Sequence, residues 1–326
     1  MTEVNEGAID LVEVIRGDRV ESVHRGHIVV CDGAGEIVEA WGDPSAVIYP
    51  RSACKMVQAL PLLESGAGAH LTSAQLALAS ASHEGAAVHV AGVNAWLRDL
   101  AMSEQDLRCG THMPYSDDAK ADLIRAGDRP CQLHNNCSGK HAGFLALSKH
   151  LGAGPEYVEP DHPVQLAVRR AFEEVTGMDS PGYGIDGCSA PNFATRLDAF
   201  GRAMGLFAGA RDGGGLRQDA MVRLTRAMGA EPMLVAGEGR ACTDLMRAMG
   251  GARGGQDRGR GRVHRHHTGA ESRHRAQDSR RHDARGRSGD CRDAGSSGRA
   301  GRRCAGRETA DPWADHELPG QGDGPL

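Results

Sequence analysis

Lysine is scarce in this chain of 326 residues: there are four, and none follows Lys149. Aromatics are few, with five Phe, four Tyr and three Trp. No apolar run reaches about 18 residues, so no transmembrane helix is expected. The opening segment Met1-Thr2-Glu3-Val4-Asn5-Glu6-Gly7 lacks the basic and apolar regions of a signal peptide, and a cytoplasmic protein is expected. A net charge of −5 gives no global argument for nucleic acid. The nine cysteines are odd in number and scattered, which favours thiols or metal ligands over a disulfide framework.

The sharpest absence is regional. From Gly251 to Leu326 there is no Ile, Phe, Tyr, Met or Lys, and Val263, Trp313, Leu318 and Leu326 are nearly all the large apolar residues. Such a segment cannot bury enough apolar surface to offset its ordering entropy. Residues 251–326 are therefore expected to be a disordered, low-complexity Arg/Gly-rich tail, and residues 1–250 the globular domain. Basic runs within 251–310 would attract phosphate. They lack interleaved aromatics for stacking, however, and Asp and Glu interrupt them. Neither a nucleic-acid nor a membrane partner is expected.

What is present begins with strands. Leu11–Ile15, Val20–His24, His27–Cys31 and Glu36–Trp41 are separated by glycine turns, which predicts an antiparallel meander. A helical middle follows, with helices over 73–80, 89–100, 117–126, 141–151, 161–176, 192–205 and 213–229. Ser73, Asp161 with Pro163, and Thr243 supply start signals. Glu231–Ala236 reads as a returning strand, and a last helix runs to Met249. Strands, helices and a returning strand predict an α+β domain.

The chain is organised around Tyr49–Leu60. After Pro50, apolar residues at 56, 57, 59, 60 and 63 fit a helix pressed into a core. Ser52 stands at an N-cap or first-turn position. Lys55, three residues on, falls on the same helical face. A lysine desolvated at a helix start can take a hydroxyl proton and make a nucleophile, the S-x-x-K arrangement of serine acyl-transfer enzymes. The plain alternative is a helix cap beside a surface lysine. Ser82-His83-Glu84-Gly85 offers either a second hydroxyl or a cap and turn. His134–His141 gathers amides, a thiol, a hydroxyl, an amine and two imidazoles. Gly184–Asn192 adds Cys188. Two thiolates with nitrogen ligands suit zinc; two buried thiols beside helix caps are the alternative.

Together these stretches resemble the zinc-containing asparaginase family with a serine β-lactamase-like fold. The motifs are Pro-Arg-Ser-Ala-Cys-Lys at 50–55, Ser-His-Glu-Gly at 82–85, Asn-Asn-Cys-Ser-Gly-Lys-His at 135–141, Asp-Gly-Cys-Ser-Ala-Pro at 186–191 and Ala-Gly-Glu-Gly-Arg at 236–240. The resemblance covers roughly residues 8–250. It implies a β-lactamase/penicillin-binding-protein-like antiparallel sheet with a helical subdomain, and hydrolysis of L-asparagine to L-aspartate and ammonia. It implies Ser52 and Lys55 as a nucleophile–base pair and Ser82 as part of a second hydroxyl–lysine pair. It also implies zinc held by Cys137, Lys140 and Cys188, and it leaves a homodimer open. Another acyl-transfer enzyme on the same plan, such as a β-lactamase or peptidase relative, would be told apart by penicillin acylation against asparagine hydrolysis.

The likeness breaks at the C-terminus. The family continues with sheet strands and a Lys-Thr-Gly-Ala-Glu-Gly motif, whose lysine pairs with the second serine. Residues Gly255–Val263, back-translated with GC-rich codons and read one nucleotide later, spell Val-Lys-Thr-Gly-Ala-Glu-Gly-Val. The stretch His264–Cys291 likewise yields an alternating and then helical apolar pattern. The tail is accordingly read as out of frame, with the slip between Met249 and Gly255. A chain made as written would lack the closing strands and the second lysine, and little or no activity is expected of it. Resequencing the coding DNA there is the check.

Overall fold

The computed structural model describes residues 7–249; the tail and its shifted reading lie outside the described residues. The chain opens with β1 (Ile9–Arg16) and β2 (Arg19–Gly26), joined by Gly17-Asp18 with Gly17 at φ +64°. A two-residue hairpin turn needs that left-handed conformation. β3 (Ile28–Cys31) and β4 (Ile37–Trp41) form a second hairpin. Its turn is tied by Asp32 Oδ1, which accepts from Ala34 N at 2.9 Å and Glu36 N at 3.0 Å. The four strands predicted up to Trp41 are all present, but they do not make one meander. The two hairpins are separate ladders. At the junction between them, His27 Nδ1 accepts from Asp43 N at 2.8 Å.

Two further ladders bring distant parts of the chain together. β5 (Val47–Ile48) pairs with β8 (Thr195–Arg196), and β6 (Tyr183–Ile185) with β7 (Pro191–Phe193). The mixed helix-and-strand class stands. The single antiparallel sheet does not form among the described residues, where four two-stranded ladders take its place.

Helices build the core. In chain order they are α1 (Lys55–Gln58), α2 (Leu60–Glu64), α3 (Ser73–Ala79), α4 (Ala87–Asp99), α5 (Asp117–Ala126), α6 (Ser138–Leu151), α7 (Pro163–Thr176), α8 (Leu197–Gly209), α9 (Leu216–Ala230), α10 (Pro232–Val235) and α11 (Ala241–Ala248). The central one is α6, buried from Ser138 to Ser148 and packed by α2, α3, α4 and α7. Small residues permit this: a side chain at Gly139 would run into the Leu78 carbonyl. Leu60, Trp96, Phe144, Tyr157 and Phe172 fill the space around it, each at or below 3 % exposure. Burying a large apolar side chain of this kind stabilises by about 1.5–3 kcal/mol.

Several start signals move. Thr72, not Ser73, caps α3, in a reciprocal capping box with Gln75. His162 caps α7, with Pro163 at its first position. Helix α8 begins only at Leu197, because residues 191–196 are taken by β7 and β8. Thr243 lies inside α11, where its hydroxyl donates to Gly237 O at 2.5 Å instead of capping. The expected strand at 231–236 is the single turn α10, started by Pro232 in its favoured first-turn position. Only its end behaves like a strand: Val235 O and Ala236 O accept from Ser82 N at 3.0 Å and Glu84 N at 2.9 Å.

Candidate active site

The site grows from the turn after Pro50. Residues Arg51–Cys54 form a 3-10 turn that runs into α1. Ser52 is exposed on it and caps nothing: the N-cap is Pro50, without a side-chain bond. Arg51 holds φ +48°, a conformation that side chains disfavour. The loop before and within β7 fastens it there. Arg51 N donates to Asn192 Oδ1 at 3.2 Å, and its guanidinium to Asp186 Oδ1 at 2.9 Å. Ser189, in the same loop, is also left-handed at φ +67°. Two of the three non-glycine left-handed residues among those described thus lie in the turn and in the loop bonded to it. Ala53 N already donates to Pro50 O, and Lys55 N to Ser52 O, so neither amide is free to hold an oxyanion.

Lys55 is no surface lysine. It is 1 % exposed, and its Nζ donates to Ala81 O at 2.7 Å and to Asn136 O at 3.5 Å. No hydrogen bond joins it to Ser52. Ser82 Oγ does meet Ser52 Oγ, at 3.1 Å, and it does not cap α3, whose C-cap is Ser80. The Asn136 side chain lies 3.2 Å from Ser82 Oγ on one side and 3.2 Å from His112 Nε2 on the other. Neither Asn136 nor His112 was singled out from the sequence. Asn136 sits in the polar run before α6, whereas His112 lies in a loop with no local signature.

His83 and Glu84 of the same motif are buried. His83 Nδ1 accepts from Gly85 N, and its ring stacks on His89 at 4.6 Å between centroids. Burial, then the neighbouring His89, pulls the His83 pKa well below the ordinary value. Glu84 is raised by burial and accepts from Glu238 N at 3.2 Å. Gly237 leaves room for that carboxyl, since any side chain there would fall on it.

Cys137, Lys140 and Cys188 also come together. Lys140 Nζ, buried, donates to Cys188 Sγ at 3.1 Å. The two thiols form a coupled pair. A hydrogen bond from Cys188 pulls Cys137 well below the usual thiol range, and the same bond, with burial, pushes Cys188 up. Beside them, His141 Nδ1 is bonded to Tyr157 Oη at 2.9 Å, while its buried Nε2 has no hydrogen-bond partner. Burial lowers the His141 pKa to about 4, so the ring is neutral. Among the described residues no three His, Cys, Asp or Glu side chains are set to hold a metal. The thiol pair differs in that its third donor is an amine. Two thiols with an amine nitrogen are a donor set of the type that suits zinc. All seven cysteines among the described residues are free thiols, as expected.

The L-asparaginase II family matches residues 12–258, well over half of the chain. The chain belongs to the L-asparaginase II family. The match begins within β1, takes in the second hairpin, the Ser52 turn and every loop of the site, and ends close to where the composition changes. No curated protein matches this member of the family. Membership makes it an asparaginase-like amidohydrolase, with a small-molecule amide as substrate. No helix among the described residues is long and apolar enough to cross a membrane.

Proposed function

We propose that this chain carries the site of an L-asparagine amidohydrolase that works by acyl transfer through Ser52, on a serine β-lactamase-like plan. One observation supports it above the rest: an exposed and a half-buried hydroxyl, 30 residues apart in sequence, share a hydrogen bond over a buried lysine. In this reading Ser52 Oγ attacks the side-chain carboxamide carbon, the tetrahedral adduct expels ammonia, and water hydrolyses the resulting ester. Lys55 takes the Ser52 proton. To reach it the amine gives up Asn136 O, the longer and weaker of its two bonds, and keeps Ala81 O. Ser82 completes the hydroxyl pair and relays a proton to the leaving amide nitrogen.

Cys137, Lys140 and Cys188 would hold zinc. A bound zinc ion supplies Lewis acidity and an anchor for polar groups of the substrate. Deprotonated ligands are required; the Cys137 thiol is pulled in that direction, whereas Cys188 and the Lys140 amine are pushed up, so binding would release their protons. Elemental analysis of the purified chain is expected to give about one zinc per chain, lost in Cys188→Ala.

The deciding experiment measures ammonia release from L-asparagine. It compares the chain as given with one whose reading frame is restored after Met249. We expect little or no release from the first and turnover from the second, abolished by Ser52→Ala. Turnover at an ordinary enzymatic rate by the chain as given would sink the frame reading. A restored chain that releases no ammonia, or that ignores Ser52→Ala, would sink the amidohydrolase reading.

A further inference from the structure

His112 lies in the loop between the 3-10 turn Glu104–Asp106 and α5, outside every motif of the sequence. Its ring is held by two groups whose roles are fixed. Nδ1 is 2.8 Å from Met113 O, a carbonyl that only accepts, so Nδ1 carries the proton. Nε2 takes the Asn136 backbone N–H at 3.0 Å, a group that only donates, so Nε2 presents its lone pair. The ring is therefore the neutral Nδ1–H tautomer.

That tautomer decides the Asn136 side chain. An amide oxygen 3.2 Å from Nε2 would set two acceptors against each other. Half a turn of the amide exchanges its oxygen and nitrogen without moving anything else. Nδ2 then donates to Nε2, sharing the lone pair with the backbone N–H. The oxygen then faces Ser82 Oγ at 3.2 Å. Since that oxygen only accepts, Ser82 must donate to it. Ser82 Oγ is left to accept, and the hydrogen bond over the 3.1 Å gap runs from Ser52 to Ser82. With the amide turned the other way the bond would run from Ser82 to Ser52 and occupy a lone pair of the attacking oxygen.

We propose that His112 is a positioning residue for the serine pair: through Asn136 it fixes which hydroxyl donates, and it leaves the Ser52 lone pairs clear for attack. The inference rests on Ser52 as nucleophile for its catalytic meaning, but its hydrogen bonds can be tested without turnover.

The full chain as it exists, labelled with 15N, is examined by NMR. A coupling across the hydrogen bond between Asn136 Nδ2 and His112 Nε2, with a proton on His112 Nδ1, is expected. A protonated Nε2, or no coupling to Asn136 Nδ2, overturns the proposal. In parallel, covalent labelling of Ser52 by a fluorophosphonate is timed in two variants. His112→Gln keeps an acceptor on the Nε2 side, and His112→Asn keeps a donor on the Nδ1 side only. Labelling is expected to stay within about threefold of the parent in the first and to fall about tenfold in the second, the effect of losing one hydrogen bond of ordinary strength. A merely structural histidine would give equal losses in both, which overturns the proposal. If the parent Ser52 takes no label, the same variants are timed in the chain whose frame is restored after Met249; no label there either sinks the amidohydrolase reading, and the NMR coupling alone then decides the role of His112.

Discussion

At the scale of single residues the site is a set of local compromises. A left-handed side chain costs about 1–2 kcal/mol, and Arg51 carries that cost one residue before the proposed nucleophile. Its ion pair with Asp186 returns little, because the arginine side chain is 67 % exposed and such pairs are worth about 0–1 kcal/mol. Glycine adopts the conformation freely. Arg51→Gly should therefore be more stable than Arg51→Ala by about 1 kcal/mol, although both lose the ion pair. Urea unfolding of the two variants checks this, and an alanine variant that is the more stable would show the turn to be unstrained. The same glycine frees the turn, so Ser52 labelling should slow. The burial of Lys55 was legible in its apolar neighbours, and the hydroxyl–lysine spacing in three residues of sequence. Ser82 was legible as a second hydroxyl or a cap, and by resemblance as part of a second hydroxyl–lysine pair, but its contact with Ser52 was not, since nothing local links positions 30 apart. His112 was not legible at all: its role comes from a hydrogen bond to a loop 24 residues away.

Elements were easier to read where the pattern was long. Helix α5 falls where its acidic start and Gly127 place it, and α6, α7 and α9 differ only at their ends. The failure at 231–236 is instructive: a short apolar run cannot tell a buried helical turn from a strand. Helix α8 shows what packing adds to pattern. Its Gly201, Gly205 and Gly209 lie four apart on one face and admit the hairpin turn Asp32–Gly35 against the helix backbone. A methyl on Gly205 would fall on Asp32 O. Alanine improves intrinsic helicity by about 1 kcal/mol, whereas forced overpacking costs about 1–3 kcal/mol. Because the obstacle is backbone, the cost falls toward the upper end and the second effect wins, so Gly205→Ala should lower stability by up to about 2 kcal/mol. Gly154→Ala, with open space around it, is the control and should change stability by less than about 0.5 kcal/mol. Equal urea midpoints for the two would refute the close approach of α8 and β3.

Across the whole molecule, helices bury well and hairpins do not. Val12, Ile15, Val20, Ile37 and Val38 are all at least half exposed on the two open hairpins, and exposed apolar edges invite association. Val12→Thr with Ile15→Thr keeps strand propensity while removing apolar surface. Light scattering on the purified chain should show less aggregation in this variant, with an unchanged urea midpoint; equal scattering would mean that these edges are not the contact. The sequence placed these strands correctly but could not show that, among the described residues, the two hairpins form separate ladders, because pairing is a long-range property. The stacked His83–His89 pair contributes, with the buried His141, to the loss of stability in acid. Both rings accept a backbone N–H on Nδ1 and are held neutral, chiefly by burial, with pKa values below the ordinary one. Above about pH 6.5, where an unfolded histidine titrates, neither state takes up protons and the contribution to stability is complete. As pH falls below that point the unfolded chain gains protons that the folded chain refuses, so stability is lost toward the depressed folded values. The urea midpoint should hold steady from about pH 8 to 7 and then decline by about pH 5.5, before most carboxylates titrate. His89→Gln, which removes one refusing group, should start from a lower midpoint and decline less steeply over the same interval. A midpoint flat to about pH 5.5, or a slope untouched by that substitution, would show that the pair is not what resists protonation.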